Sequence, residues 1–101
     1  MLRDRKYLLW LRDQPCVITG QHGTEFNAID PAHIRSAAYA GTGIKPPDNH
    51  VLPVLHSIHL DMHQHGDMTV LKDSGDDRVL RHMAIAYAEK LYAQYKQEEW
   101  V

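Results

Sequence analysis

Six of the eight histidines in this 101-residue chain stand at His33, His50, His56, His59, His63 and His65. The last four crowd into a segment short enough to be one helix, and that crowding limits the folds open to the chain. Residues four apart on a helix project from one face, so His59 and His63 can aim two imidazoles at one ion. His56 lies one turn earlier on the same face and His65 just beyond. Gly66 follows, and a glycine at that point stops a helix, so residues 56–65 read as a short helix. The spacing by itself is equally that of a solvated helix whose histidines only cap or hydrogen-bond. What decides its meaning is what the rest of the chain sets against it.

One domain is all that 101 residues and 11.6 kDa allow, and residues 1–101 are read as a single unit. Residues 4–14 read as a helix with Tyr7, Leu8, Trp10 and Leu11 on its apolar face, ended by Pro15. Residues 16–20 and 26–34 read as two strands of a hairpin, joined by Gly20-Gln21-His22-Gly23-Thr24. A loop rich in backbone breakers follows, Gly41-Thr42-Gly43-Ile44-Lys45-Pro46-Pro47-Asp48. Val51 to Leu55 is a short extended segment leading into the histidine helix. Ser74 with Asp77 resembles a capping box, opening a helix from about Asp76 to Glu98. Its stripe is Leu80, Met83, Ala84, Tyr87, Ala88, Leu91 and Tyr95. The fold class expected is α+β, with a hairpin and a short helix flanked by an N-terminal and a long C-terminal helix.

No apolar run approaches a membrane span, and the first residues, Met1-Leu2-Arg3-Asp4-Arg5-Lys6, lack the apolar stretch of a secretory signal. A single cysteine, Cys16, forms no internal disulfide and suits a reducing compartment. A cytoplasmic location and no membrane partner are therefore expected. The net charge of −2 argues against nucleic-acid binding by bulk charge alone. The acidity sits in the second half, however, since residues 1–48 carry six Lys/Arg against five Asp/Glu.

His33 stands in Pro31-Ala32-His33-Ile34-Arg35, at the end of the expected hairpin and before the glycine loop. Alone it reads as a hydrogen-bonded structural histidine, and Arg35 as a surface charge. Three segments occur in order: Ala32-His33-Ile34-Arg35, then Gly41-Thr42-Gly43-Ile44-Lys45-Pro46-Pro47-Asp48, then His59 and His63. Together they resemble the HNH (ββα-metal) nucleases, in particular small phage and prophage members including Ref-like recombination nucleases. The resemblance covers roughly residues 14–66 and leaves the first and last helices outside it.

It implies that His33 is the general base and that His59 and His63 hold one divalent ion, whether Mg, Mn, Ni or Zn. The position that orients the base maps to Asp48, Asn49 or His50, of which Asp48, closing the KPPD segment, is favoured. Two departures stand out. The residue before the base, commonly an Asp or His ligand, is Ala32, so a ligand is absent or comes from Asp30 or Asp48. The two CxxC pairs of many relatives are also missing. Here the first reads Cys16-Val17-Ile18-Thr19 and the second falls at Leu55 and Ile58, so apolar packing is expected in place of a structural zinc.

The chemistry agrees with this reading. Phosphodiester hydrolysis needs an activated water, charge neutralisation on the phosphate and stabilisation of a leaving alkoxide. Histidine, with its ordinary pKa near neutrality, suits the base, while Arg35 and Lys45 supply substrate-binding charge beside a glycine loop that lets backbone approach a phosphate. The function expected is a metal-dependent endonuclease acting on DNA. The alternatives are a non-catalytic DNA-binding or accessory protein on the same fold, and a protein whose histidines hold zinc for stability. A second copy of the chain or a phage recombination protein are the protein partners to consider. The remaining features read as structure: Cys16 as core, Trp10, Tyr87, Leu91 and Tyr95 as helix packing, Trp100 as a packing or dimer contact, and Asp76-Asp77 as complements to a helix dipole.

Overall fold

The computed structural model describes residues 2–34, 46–66 and 77–99. Along them run α1 (Arg5–Leu11), β1 (Ile29–His33), β2 (Val51–Leu55), α2 (His56–His65) and α3 (Asp77–Glu99), an α+β arrangement of one antiparallel hairpin and three helices. The glycine loop around Gly41–Gly43, Arg35, Lys45 and Ser74 of the expected capping box lie outside the described residues.

The hairpin differs from the one expected. Residues 29–33 pair with 51–55, in the register Ile29↔Leu55 through His33↔Val51, and not with residues 16–20. The latter coil into a turn in which the Gly20 amide returns to the Cys16 carbonyl at 2.8 Å. The pairing explains how each strand tolerates a proline. Pro31 stands opposite Pro53, and the Pro53 carbonyl faces outward, where it accepts the Val17 amide at 3.0 Å. Within a strand the N and O of one residue point the same way, so the N–H that Pro53 lacks would have pointed away from β1. No ladder hydrogen bond is lost there.

All five residues of β2 are buried, which makes it the centre of the core. Ile29, Ala32, Ile34, Val51, Val54, Leu55, Tyr7, Leu11 and Cys16 pack with Met62 of α2 and with Ala84, Ala88, Leu91 and Tyr95 of α3. The α3 residues recur at helical spacing, as a helix buried along one stripe requires. The stripe is narrower than its apolar residues suggested: Met83 and Tyr87 are exposed. Tyr7 and Trp10 of α1 meet Tyr92 and Tyr95 of α3, with the Tyr7 and Tyr92 rings edge to face at 4.8 Å. The helices outside the resemblance thus close over the hairpin.

Cys16 is buried and unbridged. Burial pushes its thiol up, but amide hydrogen bonds, chief among them that of Leu55, leave it lowered on balance. Leu55 is buried and Ile58 half-buried against the same core, so apolar contact fills these two positions.

Candidate functional site

The start of α2 has no side-chain cap of its own, because Leu55 occupies the capping position. Asn27 supplies one from the loop before β1: its carbonyl accepts the Ser57 amide at 3.0 Å and its amide donates to the Ser57 hydroxyl at 3.1 Å. The His56 amide adds a bond to the Ala28 carbonyl at 2.8 Å. Met62 is buried and fixes the rotation of the helix. His56 and His59 then face Asp30 of β1, and His63 follows His59 one turn later.

At the other end of α2, Gly66 has φ 101°, a conformation glycine adopts without strain, and its amide closes the last turn on the Met62 carbonyl. The helix therefore ends at His65. His65 lies toward solvent, 3.5 Å from Asp61.

Asp30 on β1 meets this face. Its Oδ2 is 2.6 Å from His56 Nδ1 and 3.1 Å from His59 Nδ1. Burial pushes the Asp30 carboxyl up, but the hydrogen bonds and charges of His56 and His59 outweigh it, and its pKa is lowered. An ionised carboxylate only accepts, so both histidines carry their proton on Nδ1 and, when neutral, their lone pair on Nε2. His59 Nε2 faces His63 Nε2 at 3.1 Å, with the rings 4.5 Å apart between centres.

Two imidazole nitrogens bound to one ion at about 2.1 Å each stand about 3.0–3.4 Å apart for angles from a right angle to tetrahedral. The His59–His63 pair has that separation, which is also the length of a hydrogen bond from one Nε2 to the other. Among the described residues no group of three or more His, Cys, Asp or Glu is arranged to hold a metal ion. Among the described residues the donors that converge on one point are His59 and His63.

His33 ends β1, and its Nε2 lies 2.9 Å from Asp48 Oδ1. Asp48 is 3% exposed. Its Oδ2 accepts the Asp4 amide at 2.7 Å, and Arg3 stands 3.5 Å from Oδ1. Burial raises the Asp48 carboxyl, but His33, the Asp4 amide and Arg3 together bring it below its ordinary value. His33 therefore carries its proton on Nε2 and the lone pair of its neutral form on Nδ1. Backbone holds Asp48 as well, through its amide to the Leu2 carbonyl at 3.0 Å.

The structure thus brings His33 together with Asp48, and His59 with His63, as two groups, one at the end of β1 and the other on α2. Successive strand side chains alternate, so Asp30 and Ala32 share the face toward α2 and His33 lies on the other, about 10 Å along the strand from Asp30. A ligand at position 32 would have faced α2, but Ala32 is buried opposite Leu52. Asp48 is held beside His33, and Asp30 sits behind the His59 ring, on the edge away from His63. Of the other candidates for the orienting position, His50 has its Nε2 4.0 Å from Glu89 of α3, and its carbonyl accepts the Ile34 amide.

Arg3, Asp4 and Asn27 take part in the site without having been singled out. Asp4 could be read as a helix cap, and its side chain does accept the Tyr7 amide at 3.1 Å. Nothing local in the sequence points from Asp4 to Asp48. Beside Asp30 lies an open cleft of about 350 Å³ lined by Arg12, Gly23, Thr24, Ala28 and Ile29. Its wall is tight, since a side chain at Gly23 would meet the Ile29 amide nitrogen at 2.8 Å. No helix among the described residues is long and apolar enough to cross a membrane. Comparison with protein families, with curated proteins and with solved structures finds no match for this chain.

Proposed function

We propose that this chain is a metal-dependent endonuclease of the HNH type, hydrolysing phosphodiester bonds of DNA. The observation that carries the reading is the approach of two Nε2 atoms to 3.1 Å on a four-residue helical spacing, with the His59 ring held from behind by a carboxylate. His59 and His63 would hold the ion, whose chemistry is to neutralise charge on the scissile phosphate and on the leaving oxygen. His33 takes the proton of the attacking water at Nδ1, and Asp48 keeps the other ring proton on Nε2 and stabilises the imidazolium that forms. Arg35 and Lys45 are assigned to substrate phosphates on the sequence reading alone. DNA, in preference to RNA, and a cytoplasmic location rest on the resemblance and on the reduced single cysteine.

Nicking of supercoiled plasmid in Mg²⁺, Mn²⁺, Ni²⁺ or Zn²⁺ tests the proposal. His33→Ala should fold, bind metal and bind DNA as wild type does, and should cut slower by roughly 10²–10⁴, the worth of a positioned base. Full activity in that variant would remove the assignment. The accessory reading is favoured by one feature, the buried Ala32 where a strand ligand would stand. It predicts metal and DNA binding with no metal-dependent cutting by the wild-type chain.

A further inference from the structure

We propose that Asp30 is the positioning residue of the histidine pair, its carboxylate holding His59 in the one tautomer that presents a lone pair to the point shared with His63. The inference deepens the endonuclease reading and rests on its metal-holding pair. A free neutral imidazole places its proton on either nitrogen, and a proton on Nε2 would block a ligand position. At His59 the choice is made by Asp30 Oδ2, 3.1 Å from Nδ1. The same oxygen lies 2.6 Å from His56 Nδ1, and one carboxylate oxygen has two lone pairs to receive both protons.

Asp30 is itself fixed by the hairpin, on a strand position paired with Val54, one residue before the end of β2. Helix α2 leaves directly from that strand, so the distance from carboxylate to ring is set by a rigid junction. His56 braces the carboxylate from the first turn of the helix. With Asp30 behind the ring at Nδ1, an ion held at Nε2 would be on the other side of the imidazole from the carboxylate. Asp30 therefore acts through His59 and is not itself a ligand. Carboxylates in this outer position orient the ring and raise the basicity of the ligating nitrogen, and their loss costs roughly 10–100-fold in metal affinity.

The test compares wild type, Asp30→Asn and Asp30→Ala at a pH above the histidine titration range. Long-range proton–nitrogen NMR correlations on the metal-free full chain report the tautomer of each imidazole, and titration calorimetry with Zn²⁺ and Mn²⁺ reports affinity. Wild type should show His59 and His56 protonated on Nδ1. Asp30→Ala should shift His59 toward the Nε2-protonated form and weaken metal binding about 10–100-fold. Asp30→Asn keeps an accepting oxygen of the same size and should restore much of both. The inference is overturned if His59 keeps its tautomer and affinity in Asp30→Ala. It is also overturned if Asn and Ala abolish binding alike with the tautomer unchanged, because Asp30 would then be a ligand. Failure of the endonuclease reading looks different: wild type would show the stated tautomer and bind metal, yet nick no DNA.

Discussion

Asp48→Asn separates stability from catalysis at the His33 pair. The wild-type carboxylate, 3% exposed, accepts from His33 at 2.9 Å and from the Asp4 amide at 2.7 Å. An asparagine of the same shape can keep its oxygen on the Asp4 amide, which turns its NH₂ toward His33. Both bonds then lose their charge, a difference of about 1 kcal/mol each, or about 2 kcal/mol together. In a domain of this size that lowers the Tm by about 8–16 °C, so the variant remains folded for assay at low temperature. Catalysis should suffer more. The new NH₂ donates to Nε2 and drives the His33 proton onto Nδ1, the atom that must accept, and a wrong tautomer in a histidine–carboxylate pair costs up to about 10⁴ in rate.

The pH dependence of the stability difference supplies a second reading. The folded Asp48 pKa is lowered, so its contribution is fully present above the unfolded value of roughly 3.9 and is lost as pH falls through the folded value. The gap between wild type and Asp48→Asn should therefore hold at neutral pH and close in acid below about pH 4. Thermal melts, zinc calorimetry and nicking rates on the one variant decide the matter. Cutting at the wild-type rate, or a fall in metal affinity as large as the fall in rate, would refute the reasoning.

Three further outcomes are expected. His63→Ala should lose at least as much metal affinity as an outer-position variant, about 10–100-fold, in calorimetry, because it removes one of the two converging nitrogens. Leu91→Ala opens a cavity where α3 packs on the core and should lower stability by about 2–5 kcal/mol in urea melts, with nicking unchanged below the transition. Tyr92→Phe removes the hydroxyl that donates to Asp4 Oδ2 at 3.0 Å and should cost about 0.5–1.5 kcal/mol by the same measurement.

The local elements of this protein are legible in its residues. Short-range rules sufficed for α2, from the three- and four-residue spacing of its histidines to the glycine at its end, and they located α1 and α3 to within a few residues. Periodicity and capping act between neighbours, so they leave a mark in the sequence. The pairing of β1 with β2 is not legible there, because a strand's partner is set by burial and register and not by the nearest turn. The Cys16–Gly20 turn folds back on itself, and Val51–Leu55, apolar on both faces, is the segment that a two-sided core can bury. The four-residue spacing singles out His59 and His63, and the resemblance adds His33 and Asp48. The carboxylate contacts around them come from the fold alone, since Asp4 reaches Asp48 across 44 positions and Asp30 reaches His59 across 29. Met83 and Tyr87 are exposed for a related reason. A helix resting on a two-stranded hairpin buries only a narrow stripe, and how wide that stripe is depends on what the helix packs against.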